Sequence, residues 1–240
     1  MEKTENTLPQ WEHIDWTQVH GELHKKGYAS VPGFLSSVEC QEFIQRYQKP
    51  DGYRKTVVME RYRFGLGEYK YFDYPLPEKI QELRTKLYPH LAPVANLWMK
   101  VLKIDKMFPT THQELLEQCK ERGQLKPTPL ILKYGEGGFN TLHQDLYGDV
   151  YFPIQALLVL SNREVDFSGG EFVMTQQTPR AQSKAIVLKP NQGDLVFFTT
   201  NFRPVKGQKG YYRVNMKHGV SEVTNGNRYA LGIIFHDAVS

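Results

Sequence analysis

The run Thr141-Leu142-His143-Gln144-Asp145, answered a long stretch later by Lys217-His218-Gly219-Val220, decides how this 240-residue chain is read. His-x-Asp followed by a single distant His is the ligand pattern of a mononuclear non-haem iron. Two imidazoles and one carboxylate take one face of Fe(II) and leave the remaining positions open to a co-substrate and O₂. The i, i+2 spacing has a geometric basis, because alternate residues of an extended strand point to the same side. His143, Asp145 and His218 are therefore the expected metal ligands and catalytic residues.

Arg228, ten positions after His218, narrows the reading. The segment Arg228-Tyr229-Ala230-Leu231-Gly232-Ile233-Ile234-Phe235 has the aliphatic and aromatic content of a strand. Alternation puts Arg228 on one face with Ala230, Gly232 and Ile234, pointing into an apolar interior. A buried guanidinium needs a partner, and its rigid fork suits a carboxylate or phosphate. A dicarboxylate such as 2-oxoglutarate would supply one through paired, charge-assisted hydrogen bonds. An ordinary structural ion pair is the alternative.

With these residues the chain resembles the Fe(II)/2-oxoglutarate-dependent dioxygenases of the double-stranded β-helix, or jelly-roll, fold. Within them it is similar to a mostly bacterial group described as oxidatively repairing alkylated DNA. The resemblance runs through His143 to Asp149, Asp166-Phe167-Ser168-Gly169-Gly170-Glu171-Phe172, Arg203-Pro204-Val205, Tyr212-Arg213-Val214 and His218-Gly219-Val220-Ser221. It ends at Gly232-Ile233-Ile234-Phe235-His236-Asp237, and upstream it includes Phe64 to Phe72 and Leu91 to Asn96. It implies Fe(II), 2-oxoglutarate and O₂ as cofactors, with ascorbate as an assay reductant, and hydroxylation of a C–H bond with release of succinate and CO₂. Arg228 and Tyr134 would then bind the co-substrate; for Tyr134 a core aromatic with a satisfied hydroxyl is the alternative. The expected reaction is demethylation of alkylated DNA. Two departures keep a protein or small-molecule hydroxylase as the alternative. Leu231 to His236 lacks the second arginine of the better-known alkylated-DNA dioxygenases, and the His218–Arg228 spacing is similar to that of prolyl hydroxylases. A jelly-roll binding module without catalysis is a third reading, against which the intact triad and Arg228 count.

The segment from Thr199 to Ser221 carries Arg203, Lys206, Lys209, Arg213 and Lys217 with Phe202, Tyr211 and Tyr212, and no acidic residue. Interleaved basic and aromatic side chains can follow a phosphate backbone while stacking bases; a solvated basic hairpin is the plain alternative. Because the segment leads into His218, it is expected to flank the mouth of the site, with Arg203, Lys206, Tyr212 and Arg213 as substrate-binding candidates. A second aromatic and basic stretch runs from Asp51 to Tyr74.

Composition agrees with one ordered domain over 1–240. Forty per cent of residues are hydrophobic and 12% aromatic, and the net charge of +4 is compatible with a nucleic-acid partner without requiring one. No apolar run is long enough to span a membrane, and the first ten residues are too polar for a secretory signal, so a cytoplasmic enzyme is expected. Cys40 and Cys119 have neither metal-ligand nor redox spacing. Gly135-Glu136-Gly137-Gly138 lacks the ending of a P-loop and reads as a turn.

The expected fold class is α+β: disorder over 1–10, a mainly helical support region over 11–124 and a jelly-roll core over 125–240. Helices are expected after Asp15, after Ser36 or Ser37, from about 78 to 101 with Pro89 and Pro93 as candidate break points, and over 113–121. Strands are expected at 130–134, 154–160, 170–175, 185–188, 194–199, 212–220 and 228–235. His236-Asp237 reads first as structural.

Overall fold

The computed structural model describes residues 10–163 and 165–240; the stretch expected to be disordered lies outside these, apart from Gln10. After a 3-10 turn at Gln10–His13, the N-terminal half alternates helices and strands. In order these are α1 Trp16–Lys26, β1 Tyr28–Val31, α2 Ser37–Gln48, β2 Tyr53–Val58, β3 Gly65–Leu66, β4 Glu68–Phe72, α3 Glu78–Val101 and α4 His112–Glu121. The second half is β only: β5 Leu130–Tyr134, β6 Phe139–His143, β7 Ile154–Val159, β8 Phe167–Gly169, β9 Phe172–Gln177 and β10 Ser183–Leu188. It continues with β11 Leu195–Thr199, β12 Phe202–Gly207, β13 Gly210–Val220, β14 Val223–Gly226 and β15 Arg228–Ile233.

Local chemistry sets the helix ends. Asp15 accepts from the Gln18 N–H and Gly27, in the left-handed region, closes α1. Ser36 with Glu39 and Thr111 with Glu114 form capping boxes for α2 and α4, each satisfying two otherwise orphaned donors. α3 runs unbroken through Pro89 and Pro93, against the expectation of breaks. A proline inside a helix costs about 3 kcal/mol. Here Ile80, Leu83, Leu87, Tyr88, Leu91, Val94 and Trp98 are all buried along one face. At roughly 1.5–3 kcal/mol for each large side chain removed from water, that face outweighs two prolines.

Among the described residues, the named strands pair with one another antiparallel throughout. Seven strands form the main sheet in the order β1-β11-β7-β15-β5-β4-β2. Six form the opposing sheet, β10-β9-β13-β6-β3 with β12 on β13, and β14 pairs β8. The fold is α+β with a jelly-roll core. The short strand expected from Tyr28 forms β1 at one edge of the main sheet. The support region is otherwise less purely helical than expected, since β2 and β4 extend the main sheet at its other edge and β3 joins the opposing sheet.

The central strands of the main sheet, β7, β11 and β15, are buried on both faces, and alternation divides their residues. Ile154, Ala156 and Leu158, with Leu195, Phe197, Leu231 and Ile233, pack in one cluster with Leu23, Leu87, Leu91 and Trp98 of the helices. The alternate residues Leu157, Val196, Phe198 and Ala230 meet Phe172, Met174, Val214 and Met216 of the opposing sheet. Among the described residues no helix is long and apolar enough to cross a membrane.

The C-terminal segment is tied to the helices. Arg84 donates to Asp237 Oδ1 and to the Phe235 carbonyl, both at 2.8 Å, and Tyr74 donates its hydroxyl to Asp237 Oδ2. Thr128 and Gln124 donate to the His236 and Asp237 carbonyls. His236 is fully buried and accepts the Phe152 N–H at 3.1 Å, and burial pushes its pKa down to about 3. His236-Asp237 is thus a structural clasp. Removing one partner of a buried ion pair strands the other charge. Arg84→Ala is expected to lower unfolding free energy by about 3–5 kcal/mol in urea titrations; a loss below about 1 kcal/mol would remove this role.

Candidate metal centre and co-substrate cavity

β6 and β13 are ladder neighbours, and His143 and His218 stand opposite each other across them, ring centroids 4.3 Å apart. Gly219 allows this approach: a Cβ there would lie 2.5 Å from the Asn140 carbonyl oxygen. The third ligand departs from the expected geometry. β6 ends at His143, so Asp145 stands on the following connection and not on a continuing strand. Its position comes from anchors on either side. The Gln144 amide donates to Asn201 and to the Met216 carbonyl, and the Asp145 N–H donates to Thr200 Oγ1 at 3.2 Å.

The carboxylate lies between the imidazoles, with Oδ1 3.4 Å from His143 Nε2 and Oδ2 3.2 Å from His218 Nε2. All three donor atoms fall within 4.8 Å of one another. His143 Nδ1 meets the Thr141 carbonyl at 2.7 Å, the kind of contact that fixes a ligand imidazole with Nε2 toward the metal. His218 is wedged against Phe198 and Phe172. Two nitrogens and a carboxylate on one side of an open cavity fit a divalent iron that keeps free positions.

The protonation states of the three ligands are set jointly. Burial opposes charge on His143, but its hydrogen bonds to Asp145 and Thr141 prevail and raise its pKa. Burial also opposes charge on Asp145, yet hydrogen bonds from both imidazoles hold it well below the usual carboxylate range. Burial, then the charge of His143, lowers His218. The two imidazoles are thus pushed in opposite directions around one carboxylate.

The ligands open onto a cavity of about 240 Å³ between the sheets, also lined by Tyr134, Asn140, Leu157, Phe172, Phe198 and Arg228. Arg228, 2% exposed, stands opposite Tyr134 on β5. Its guanidinium lies over the Tyr134 and Phe167 rings, and among the described residues no carboxylate approaches within ion-pair distance. Its Nε has no hydrogen-bond partner. Burial lowers its pKa, but an arginine starts high enough to remain charged. Tyr134 is fully buried, its hydroxyl accepting from Asn140 at 3.3 Å and its pKa pushed up to about 12. A buried cation without a partner, in one cavity with a metal triad, fits an anion that enters from solution.

The basic segment falls elsewhere. Arg203 is 5% exposed and donates to Gln176, His24 and Pro204, which makes it a core residue and corrects the substrate-binding expectation. Lys206, Tyr212 and Arg213 are exposed on the β12–β13 hairpin, but none lines the cavity. The turn at Gly210 is eight residues from His218, roughly 26 Å along the strand at ~3.3 Å per residue. The hairpin leads away from the mouth, because β13 enters the site only at its far end.

Several site residues were not singled out from sequence. Tyr147 donates to Asp145 Oδ1 at 2.8 Å, and Tyr71 donates to Tyr147 at 3.3 Å. Tyr69, Asn140 and Gln155 line the same cavity. The i, i+2 spacing of Tyr69 and Tyr71 on a strand was the available signal.

With this geometry in view, a family model described as "oxygenase, catalysing oxidative methylation of damaged DNA" matches residues 67–238. The chain belongs to that family. The oxygenase is 42% identical over 167 residues to uncharacterized proteins from two strains of Mycobacterium tuberculosis, covering 70% of this chain and 72% of each relative. Its fold matches an oxidoreductase of the 2OG-Fe(II) oxygenase family from Burkholderia pseudomallei, with TM-score 0.56, 13% identity and 95% of each chain covered. It also matches a Pseudomonas putida prolyl-4-hydroxylase, with TM-score 0.52, 15% identity and coverage of 90% of this chain and 96% of that one. The oxygenase thus has the fold of the 2-oxoglutarate, Fe(II) enzymes, and His143, Asp145 and His218 form a group that could hold a metal ion.

Two outcomes follow from the electrostatics. A ligand imidazole must be neutral, and His143 holds its proton above the usual histidine range, so metal uptake releases a proton. Affinity for Fe(II) or Mn(II), measured anaerobically by calorimetry, should rise from pH 6 to pH 8, by up to about tenfold per unit below the His143 pKa; a flat profile would contradict the charge assignment. Arg228→Ala should raise the KM for 2-oxoglutarate about tenfold or more, with a smaller change in kcat. An unchanged KM in a succinate assay would leave Arg228 without a ligand.

Proposed function

We propose that the oxygenase uses Fe(II), 2-oxoglutarate and O₂ to hydroxylate an alkyl group on a nucleic-acid base. The observation that carries the co-substrate assignment is Arg228, a buried and unpartnered cation in the same cavity as the triad. In this reading His143, Asp145 and His218 hold the iron, and Arg228 takes the distal carboxylate of 2-oxoglutarate in paired hydrogen bonds. Tyr134 and Asn140 face the co-substrate with hydroxyl and amide groups. Phe172, Phe198 and Leu157 exclude water from the reacting end. Tyr147 donates to Asp145 and keeps that oxygen oriented. Bound iron supplies the reduction of O₂, coupled to conversion of 2-oxoglutarate into succinate and CO₂.

The family description supports damaged DNA as the substrate. Hydroxylation of an N-methyl group gives an N-hydroxymethyl base, which breaks its carbon–nitrogen bond to release formaldehyde and return the proton to nitrogen. A base must leave its stack to reach the cavity, which is easiest in single strands. Proline hydroxylation is the second reading, favoured by the ten-residue spacing from His218 to Arg228 and by the likeness to a prolyl-4-hydroxylase. Succinate release under Fe(II) and ascorbate separates them. Methylated single-stranded DNA should stimulate it several-fold over the unmethylated strand, with matching formaldehyde. Stimulation by a proline-containing peptide and indifference to DNA would transfer the assignment to the second reading.

A further inference from the structure

Of the exposed large apolar side chains among the described residues, six fall in two short segments: Tyr62, Phe64 and Leu66, then Phe139, Leu142 and Leu146. Phe64 and Leu146 line the cavity, so the patch surrounds its mouth. Exposed apolar clusters of this kind mark binding surfaces more often than chance.

The first segment is fixed in place. A 3-10 turn at Met59–Tyr62 ends at Arg63, whose φ of 60° is left-handed. The Phe64 carbonyl then accepts both the N–H and the hydroxyl of Thr141, at 2.8 and 2.9 Å, two residues before the ligand His143. Gly65 follows against the Phe139 carbonyl, where a Cβ would clash. The lip is therefore bonded to the metal-bearing strand. On it the Tyr62 and Phe64 rings stack, centroids 5.5 Å apart at 19°, while remaining 53% and 44% exposed. Arg61 and Arg63 flank them, both exposed, and among the described residues neither lies in an ion pair. The adjacent Glu60 carboxylate accepts from the Gly67 N–H instead.

We infer that this Arg61–Phe64 lip is the docking platform for a single-stranded nucleic acid, stacking bases that neighbour the one entering the cavity. The inference rests on the nucleic-acid reading above and adds the surface that binds the strand. Flat aromatic faces beside unpaired guanidinium groups match a chain that alternates bases with phosphates. A duplex keeps its base faces covered and offers the stack nothing. The basic hairpin, roughly 26 Å of strand from the ligands, is too distant to serve the mouth.

Fluorescence anisotropy with a labelled oligothymidine, on the full chain across a salt series, tests this. Tyr62→Ala/Phe64→Ala should weaken binding about tenfold or more at every salt concentration. Tyr62→Leu/Phe64→Leu, which keeps apolar bulk, should weaken it similarly. Arg61→Gln/Arg63→Gln should instead flatten the plot of log K against log salt by about 1.4, two phosphates at ~0.7 each. Lys206→Ala/Lys209→Ala on the hairpin serves as the comparison and should bind as wild type does. Lip variants that bind like wild type, or a hairpin variant that alone loses binding, would overturn the platform and leave the nucleic-acid reading standing. A wild-type chain that binds no strand at low salt overturns both. Lip variants that keep DNA binding but lose hydroxylation of a proline peptide would reassign the surface to a protein substrate.

Discussion

The central strands of the main sheet are buried on both faces, and the rest of the molecule is arranged around that constraint. Along β7, β11 and β15 every second residue belongs to the helix layer and the others to the space between the sheets. Such a sheet needs cover on each side, which α1–α3 and the opposing sheet provide. Because the side-chain period is two, a one-residue slip of β15 would send Arg228 into the helix core and Leu231 into the cavity. The register that fills the core is the same one that aims the cation.

The His143, Asp145 and His218 cluster draws on two different means of placement. His143 and His218 are set by the hydrogen-bonded ladder of β6 and β13, and Gly219 removes the one side-chain atom that would hold these strands apart. Asp145 lies beyond the ladder and depends on Gln144, Thr200 and Tyr147 instead. Gathering three polar groups in a buried space is tolerable because they hydrogen-bond one another: contact with Asp145 raises the His143 pKa, both imidazoles hold Asp145 low, and burial lowers His218.

Much of this was legible in the sequence, for physical reasons. Two imidazoles and a carboxylate at that spacing match the donor set of a facial iron site, and Arg228 could be assigned a face from alternation alone. β7, β11 and β15 were visible as apolar runs because both their faces are buried. β2 and β4 were harder to see, since Tyr53–Val58 and Glu68–Phe72 mix basic and aromatic residues at a half-exposed sheet edge. The helix through Pro89 and Pro93 required knowledge of what its apolar face packs against. Arg203 was misplaced because charge suggests surface, whereas its guanidinium meets a buried set of carbonyl and amide oxygens. Tyr71 and Tyr147 come together from separate strands and loops, and no local pattern records a contact across 76 positions.

Arg228 also bears on how long the folded chain survives. A charge enclosed without a counter-ion costs folding free energy, and the proposed dicarboxylate, binding only the folded form, would offset that cost. Ligand at about one hundred times its Kd adds about 2.7 kcal/mol to the folding free energy. That is a sizeable part of the roughly 5–15 kcal/mol that holds a typical domain together. On the proposed reading, the supply of co-substrate would govern two quantities at once, the rate of turnover and the fraction of chains exposed to proteolysis.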